Sequence, residues 1–567
     1  MRILLLCDSF DSLSKQVLVA LDERDYKVSV ELDINDANTA DAVLRFQPDL
    51  IVAPNLRRRL TMSVWSNVPC FVVRCGVVGD RGPSPLDWAI LSGHSTWGVT
   101  IHQANDELDE GTVWASREFE MRAATKASIY RQEVAHHAIE ALTEAIGRFQ
   151  SGRGAPLVEP ESVDVSWRDA ARQKDRAIDW DRDDTGTVLS KIRSGDGSPG
   201  VLTELGGRRV RLYDAREAPG HQGDPGELLA VSGAAVLVGT RDNAVWIGHA
   251  VDRASTQRFK LPASIVLRHA CTHLPSIPTD TADGYTEIRT RIVDDVAYLY
   301  FDFYNGALSS GQSARLMSAF ISVREQKPKV IVLAGGPDHW CNGIHLNLIE
   351  ASDQPAEASW ANINALNDLS HEIITTTECL TVSALRGNAG AGGAFLARAA
   401  DFVWAHADTV LTPHYKNIGN LYGSAYWTYL LPEHCGKQRA QRIVQLGGSI
   451  GAIDASSLGL IDEVIARSKH AFQPALAERA QRLARSDRFA SLLHQKHAKR
   501  LADERARPLA DYRRDELEKM RENLFGFDAA FHVARYNFVN KIPPSQTPQA
   551  LARHRRALTP MHSKWAS

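Results

Sequence analysis

Two stretches of small residues carry the most specific chemistry in this chain. One is Trp340-Cys341-Asn342-Gly343-Ile344-His345. The other, about fifty residues on, is Gly387-Asn388-Ala389-Gly390-Ala391-Gly392-Gly393-Ala394-Phe395-Leu396. Each follows an apolar run, 329–333 and 380–385, that reads as a strand. Small residues behind a strand let a backbone N–H face a ligand with no side chain in the way. Two such N–H groups converging on one point polarise a thioester carbonyl. A single glycine-rich turn is more often only a tight turn, whereas two in this order, each behind a strand, are far more specific. Downstream, residues 411–427 are dense in polar aromatics, with His414, Tyr415, Tyr422, Tyr426 and Trp427. Tyr426 and Trp427 suit the core of a following helix. Tyr415 and Tyr422 are candidate proton relays, because a buried phenol needs a partner and can pass a proton.

This pairing of turns resembles the crotonase (enoyl-CoA hydratase/isomerase) superfamily. The resemblance implies a crotonase-fold domain and an oxyanion hole formed by the N–H groups of Ile344 and Gly392. Asn342, Gly343 and Gly393 would then shape a coenzyme A thioester site. Crotonase hydratases place water with two glutamates, and those positions here read Phe395 and His414. Phenylalanine can neither give nor take a proton, so hydration of an enoyl thioester is not expected. His414 joins Tyr415 and Tyr422 as a possible proton acceptor.

The elements that must hold these residues are legible along the chain. With 567 residues, 44% hydrophobic and 23% charged, the sequence describes a multidomain globular α/β protein. A formal net charge of −3 gives no reason to expect nucleic acid or a membrane surface as partner. No stretch is long enough to span a bilayer. The seven cysteines are scattered, without a CxxC pair, which suits a reducing cytoplasm. His269, Cys271 and His273 alternate like one face of a strand, but nothing nearby completes a ligand set, so no metal is expected.

Residues 1–165 alternate strand-like runs (2–7, 27–32, 50–53, 70–73, 98–102) with helical patterns, including a long helix over 128–148. Residues 166–275 open as a polar connector. Short runs with turns every eight to twelve residues follow, the pattern of a small, OB-like β-barrel. A Pro/Thr/Asp linker leads into a third domain over 284–466. Residues 467–567 are charged and helical and end in a Pro-rich tail.

The front half has its own motifs. Gly79-Asp80-Arg81-Gly82-Pro83 precedes Gly98-Val99-Thr100-Ile101-His102 and Leu108-Asp109-Glu110-Gly111. The order resembles folate-dependent formyltransferases, and so implies a Rossmann-type α/β domain in which Arg81 and Gly82 line a folate site. Those enzymes use an Asn-x-His pair and an Asp. The Asp maps to Asp109, but Val72 and Arg74 stand at the other two positions. Arginine stays protonated and cannot act as a base, though Arg74 could stabilise an oxyanion or pair with Asp109.

A formyltransferase-like half joined to a crotonase-like half resembles the HypX/HoxX family of nickel–iron hydrogenase maturation factors, across essentially the whole chain. Supporting strings include Leu86-Asp87-Trp88-Ala89-Ile90 and Pro413-His414-Tyr415-Lys416-Asn417. The resemblance implies formyl transfer from formyl-tetrahydrofolate to coenzyme A, then decarbonylation of formyl-CoA to the carbon monoxide ligand of the hydrogenase iron. It also implies hydrogenase assembly proteins as partners. Ala425 stands where that family carries Glu. Two other readings stay open: an acyl-CoA enzyme whose formyltransferase half is inactive, and a non-catalytic folate- and CoA-binding scaffold.

Overall fold

A computed structural model of the chain describes residues 1–106, 111–155 and 166–555. The chain forms two compact units: residues 1–285 with the tail from Pro544, and residues 286–543.

The first unit opens with β1 (Arg2–Cys7), β2 (Lys27–Leu32), β3 (Leu50–Asn55), β4 (Cys70–Arg74), β5 (Asp80–Arg81), β6 (Thr96–Gln103), β7 (Val113–Glu120) and β8 (Ser166–Trp167). The main sheet has the order β2-β1-β3-β4-β6-β7, parallel from β2 to β4 and antiparallel beyond. Parallel strands covered on both faces must be apolar throughout, and Ile3, Leu4, Leu5, Leu6 and Cys7 are all fully buried. The helix Ser12–Asp22 starts where Asp11 accepts the Ser14 N–H at 2.9 Å. The helix expected over 128–148 is interrupted by a π turn at Tyr130–Val134. That turn aims the Tyr130 hydroxyl at Asp11 Oδ2, 2.8 Å away.

The second part of this unit holds β9 (Val201–Leu205), β10 (Arg208–Glu217), β11 (Leu228–Ser232), β12 (Ala235–Gly239), β13 (Ala244–Asp252) and β14 (Leu261–Pro262). They form an antiparallel sheet in the order β11-β12-β13-β10-β9, with β14 on β13. His269 and Cys271 are not on a strand. They lie in a short helical turn, Arg268–Cys271, that packs near β11, and His269 Nε2 meets the Gly206 carbonyl at 2.9 Å. The alternation that suggested a strand face is therefore a helical turn followed by a loop.

Edge strand β2 is covered by the tail. Val30 N–H donates to the Leu551 carbonyl at 3.1 Å and Leu32 N–H to Thr547 Oγ1 at 2.9 Å. His554 lies 2.7 Å from Ser29 Oγ and 3.2 Å from Glu31, which Arg555 also pairs. Arg553 pairs with Asp22. Covering an edge removes a template for unwanted strand pairing.

The second unit contains β15 (Ile288–Val293), β16 (Val296–Phe301), β17 (Val330–Gly335), β18 (His339–Cys341), β19 (Leu380–Leu385), β20 (Asn388–Gly390), β21 (Phe402–His406), β22 (Val410–Thr412), β23 (Ile450–Gly451) and β24 (Glu463–Ala466). One sheet runs β15-β16-β17-β19-β21-β24, parallel after the first hairpin, and a smaller one runs β18-β20-β22-β23. Phe301, Phe320, Trp340, Leu366 and Phe395 are among the buried residues of its core. Helices Lys469–Ala484, Phe489–Ala506, Leu509–Phe525 and Ala530–Val539 complete it. Among the described residues, no helix is long and apolar enough to cross a membrane.

Candidate functional site

The two small-residue turns lie side by side because β18 and β20, which carry them, pair in parallel. Their approach is set by glycine. A Cβ on Gly343, whose φ is +82°, would stand 3.3 Å from the Gly392 nitrogen. A Cβ on Gly393 would stand 2.1 Å from the Cys341 carbonyl oxygen, so no side chain fits there. Ala391 holds a rare φ of 48° at the start of the helix Gly392–Arg398, and its N–H is fixed to the Thr412 carbonyl at 2.9 Å. Leu308 N–H donates to the Gly343 carbonyl and His345 N–H to Asn362 Oδ1, yet the Ile344 and Gly392 N–H groups between them meet no protein acceptor among the described residues. Two backbone donors left unclaimed next to each other are what a thioester oxygen would satisfy. Asn342 braces the first turn, donating from its side chain to the Asn305 carbonyl at 2.8 Å. Burial pushes the Cys341 thiol up to about 12, so it stays protonated and is not a nucleophile.

The aromatic residues divide into two groups. The Tyr415 hydroxyl reaches the second turn: a Cβ on Gly392 would lie 3.4 Å from it. This hydroxyl is buried and makes no hydrogen bond among the described residues, the Ser424 backbone lying toward it outside bonding geometry. Burial raises its pKa well above the usual phenol value. Phe395 packs on Tyr415 with ring centres 5.8 Å apart and is fully buried, so the wall where a hydratase would carry a carboxylate is apolar. His414, by contrast, turns toward its own loop, and its Nδ1 accepts the Lys416 N–H at 3.2 Å. Tyr422 packs on Trp427 with tilted rings 5.4 Å apart and is 37% exposed. Tyr415 alone of the three is placed by these contacts against the hole.

Sequence reasoning missed the residues that hold this aromatic loop. Ala425 and Tyr426 both have left-handed φ, 66° and 59°. Ala425 N–H donates to Asn367 Oδ1 at 2.7 Å, Gly423 N–H to Met520 Sδ at 3.1 Å and Tyr422 N–H to Asn523 Oδ1 at 2.9 Å. Glu516, fully buried, accepts from Tyr426 N–H, Thr428 N–H and the Thr428 hydroxyl. Burial pushes its carboxyl up to about 7, against those hydrogen bonds. One signal was available: Leu509, Tyr512, Glu516, Met520 and Leu524 recur at helical spacing, which puts a carboxylate into an apolar stripe.

In the front half, Arg74 is locked in place. Its Nε donates to the Asp80 carbonyl at 2.7 Å, and its Nη2 to Asp80 Oδ2 at 2.8 Å and to the Gly82 carbonyl at 3.0 Å. Both side chains of the ion pair are buried. Gly82, with φ +107°, presses against the backbone of Arg168: an added Cβ would stand 1.9 Å from that carbonyl oxygen. Arg81, on β5, is half-buried and accepts the Arg168 N–H at its carbonyl. Asp109 lies outside the described residues. Val72 is paired across the β4–β6 ladder with His102, a buried imidazole whose Nδ1 lies 3.1 Å from the Gly111 carbonyl. Directly opposed residues share a sheet face, so His102 brings a titratable group beside the position that lacks one.

The fold defines a formyltransferase-type unit joined to a crotonase-type one, and three families match accordingly. They are Formyl transferase over residues 16–146, Formyl transferase, C-terminal domain, over 171–259, and Enoyl-CoA hydratase/isomerase over 296–545. Hydrogenase maturation factor HoxX of Bradyrhizobium diazoefficiens is 46% identical, over 98% of this chain and 97% of that protein. The crystal structure of HypX from Aquifex aeolicus in complex with tetrahydrofolic acid is 41% identical, with a TM-score of 0.95 over 99% of this chain and 100% of that one. Methionyl-tRNA formyltransferase of Geobacter sulfurreducens is 25% identical over 40% of this chain and 71% of its own length. The chain belongs to the HypX/HoxX family of hydrogenase maturation factors.

Proposed function

We propose that this protein makes the carbon monoxide ligand of a nickel–iron hydrogenase. Formyl would move from formyl-tetrahydrofolate to coenzyme A in the first unit, and the formyl thioester would be split in the second. The observation that carries this reading is the pair of unclaimed N–H groups, Ile344 and Gly392, with the buried Tyr415 hydroxyl beside them. In a formyl thioester the C–S bond breaks, the formyl proton leaves and the C–H electron pair stays on carbon as the lone pair of CO. The sulfur takes up a proton, and no water is consumed. The two N–H groups hold the carbonyl oxygen. Tyr415, kept as a phenol by burial, gives its proton to the leaving sulfur and is restored by the formyl proton. Phe395 keeps that side apolar, which disfavours hydrolysis.

For the first unit, the tetrahydrofolic acid bound by HypX of Aquifex aeolicus supports a folate site built on Arg81, Gly82 and Asp109. Folate, when bound, supplies the one-carbon group. Arg74 acts there as a fixed cation, and His102 is the titratable group beside Val72. Partners would be the hydrogenase and its other assembly proteins. Seven unpaired cysteines suit a cytoplasmic location.

The Arg74–Asp80 ion pair favours a second reading, in which formyl transfer is lost and only the thioester reaction remains. The experiment supplies formyl-tetrahydrofolate plus CoA, or formyl-CoA alone, and reads CO by its binding to reduced haem. CO from both supports the full sequence. CO from formyl-CoA alone supports the second reading. CO from neither overturns both.

A further inference from the structure

The Tyr415 ring rests on the turn that follows it: a Cβ on Gly423, at φ +97°, would stand 2.2 Å from its Cε2 atom. That turn is conformationally costly, because Ala425 and Tyr426 are consecutive non-glycine residues in the left-handed region. It persists because its backbone is over-determined from outside. One helix, Leu509–Phe525, supplies three acceptors to it at helical spacing: Glu516 to Tyr426 and Thr428, Met520 to Gly423 and Asn523 to Tyr422. Only Glu516 makes three bonds, at 3.0, 2.9 and 2.6 Å. Its two oxygens are separately engaged, Oε2 by Tyr426 and Oε1 by Thr428. Tyr426 and Thr428 flank Trp427, whose ring lies 6.4 Å from that of Phe395 on the same wall. An ordinary surface carboxylate in a helix this charged would be solvated, whereas this one is 1% exposed.

We propose that Glu516 is the positioning residue that sets the Tyr415 hydroxyl against the Gly392 turn, acting through residues 422–428. This rests on the reading of Tyr415 as the proton-transfer group. Glu516 touches no reacting atom in this account. Its bonds fix a turn that glycine-poor sequence would not adopt, and that turn supplies the surface on which the phenol ring lies. A carboxyl group is suited to the task because each of its oxygens can accept an N–H, and its proton, while it is held, can pass to the Thr428 hydroxyl. An amide of the same shape cannot do this, since glutamine would set its NH2 against one of the N–H groups.

The test is a double-mutant cycle with Glu516→Gln, Tyr415→Phe and their combination, in the full-length protein. Readouts are CO release from formyl-CoA, KM for formyl-CoA and hydrogen exchange of residues 415–428. Glu516→Gln is expected to lower kcat about tenfold or more, leave KM within about twofold, and speed exchange in 415–428 but not in the first unit. In the Tyr415→Phe background it should cost nothing further, because its effect passes through the phenol. Thr428→Val, which removes one partner from the loop side, should reproduce a weaker form of the same loss. Unchanged exchange in Glu516→Gln overturns the inference. So does a further kcat loss in the Tyr415→Phe background. If Tyr415→Phe is slow and Glu516→Gln is not, the inference alone fails. If Tyr415→Phe turns over like the parent, the tyrosine reading fails first and this inference falls with it.

Discussion

Replacing Tyr415 with phenylalanine should separate stability from activity. The phenol oxygen is buried and makes no hydrogen bond among the described residues, while its ring packs against Phe395 and Gly423. A buried hydroxyl without a partner costs about 1–3 kcal/mol of desolvation. Phenylalanine keeps the ring and removes the oxygen, so the variant should recover part of that cost, about 1 kcal/mol. For a unit of about 250 residues this is a rise in Tm of roughly 2–4 °C. Activity should move the other way, since a general acid–base group contributes about 10²–10⁴ in rate. Such opposition is expected where a residue is kept for chemistry rather than for folding. The assays are thermal unfolding with and without CoA, and CO release from formyl-CoA under saturating substrate. A fall in Tm of several degrees would show that the hydroxyl has a strong partner in the folded protein. An unchanged rate would show that the phenol is only a wall of the pocket.

Other outcomes follow from the same geometry. Gly393→Ala sets a methyl 2.1 Å from the Cys341 carbonyl oxygen, so the two turns must part. It should cost about 1–3 kcal/mol or more, and about 10²–10³ in thioester turnover, whereas Gly311→Ala, in open space, should be neutral or mildly stabilising. Arg74→His takes the guanidinium away from the buried Asp80 carboxylate and should destabilise the first unit by about 3–5 kcal/mol, with Asp80→Asn recovering much of it. If the front half works through Asp109, adding Val72→Asn and Asp80→Asn to Arg74→His should raise tetrahydrofolate release, and a slower triple variant would mean that Arg74 serves the reaction. Glu516, held near 7, keeps its proton in the folded state at pH values where the unfolded chain has released it. Its contribution to stability is therefore complete below the ordinary carboxyl value and lost as pH rises through about 7, a change of about 3 kcal/mol that Glu516→Gln should abolish in urea titrations at pH 5 and 7.5. Crotonyl-CoA should not be hydrated above background, and robust hydration would mean that a carboxylate reaches past Phe395.

What was legible in the sequence was whatever depended on local pattern. The run at 2–7 coincides with β1, because a strand buried on both faces leaves little room for polar residues, and the run at 27–32, which alternates apolar and polar residues, coincides with β2. The paired turns were legible because close backbone approach demands glycine at Gly343 and Gly393. Less local features were not. Strand β7 reads Val-Trp-Ala-Ser-Arg-Glu-Phe-Glu, too polar to stand out, since only one face is covered. The π turn at Tyr130–Val134 has no composition signal. Arg74 looked like a candidate partner for Asp109, yet the Asp80 carboxylate that grips it lies six residues away, inside a motif read for its glycine. Glu516 sits about 90 residues beyond the loop it holds, in a helix whose charge suggests solvent.

The tail that covers β2 gives the chain an unusual order of completion. The strand is made near residue 30, but Leu551 and Thr547, which occupy its open side, come about 500 residues later. At about 5–20 residues per second, synthesis leaves that edge bare for roughly 25–100 s while the whole crotonase-type unit is built. The sheet of the first unit is thus completed only after the second unit has been made. During that interval, the open edge of β2 is available for pairing with another chain.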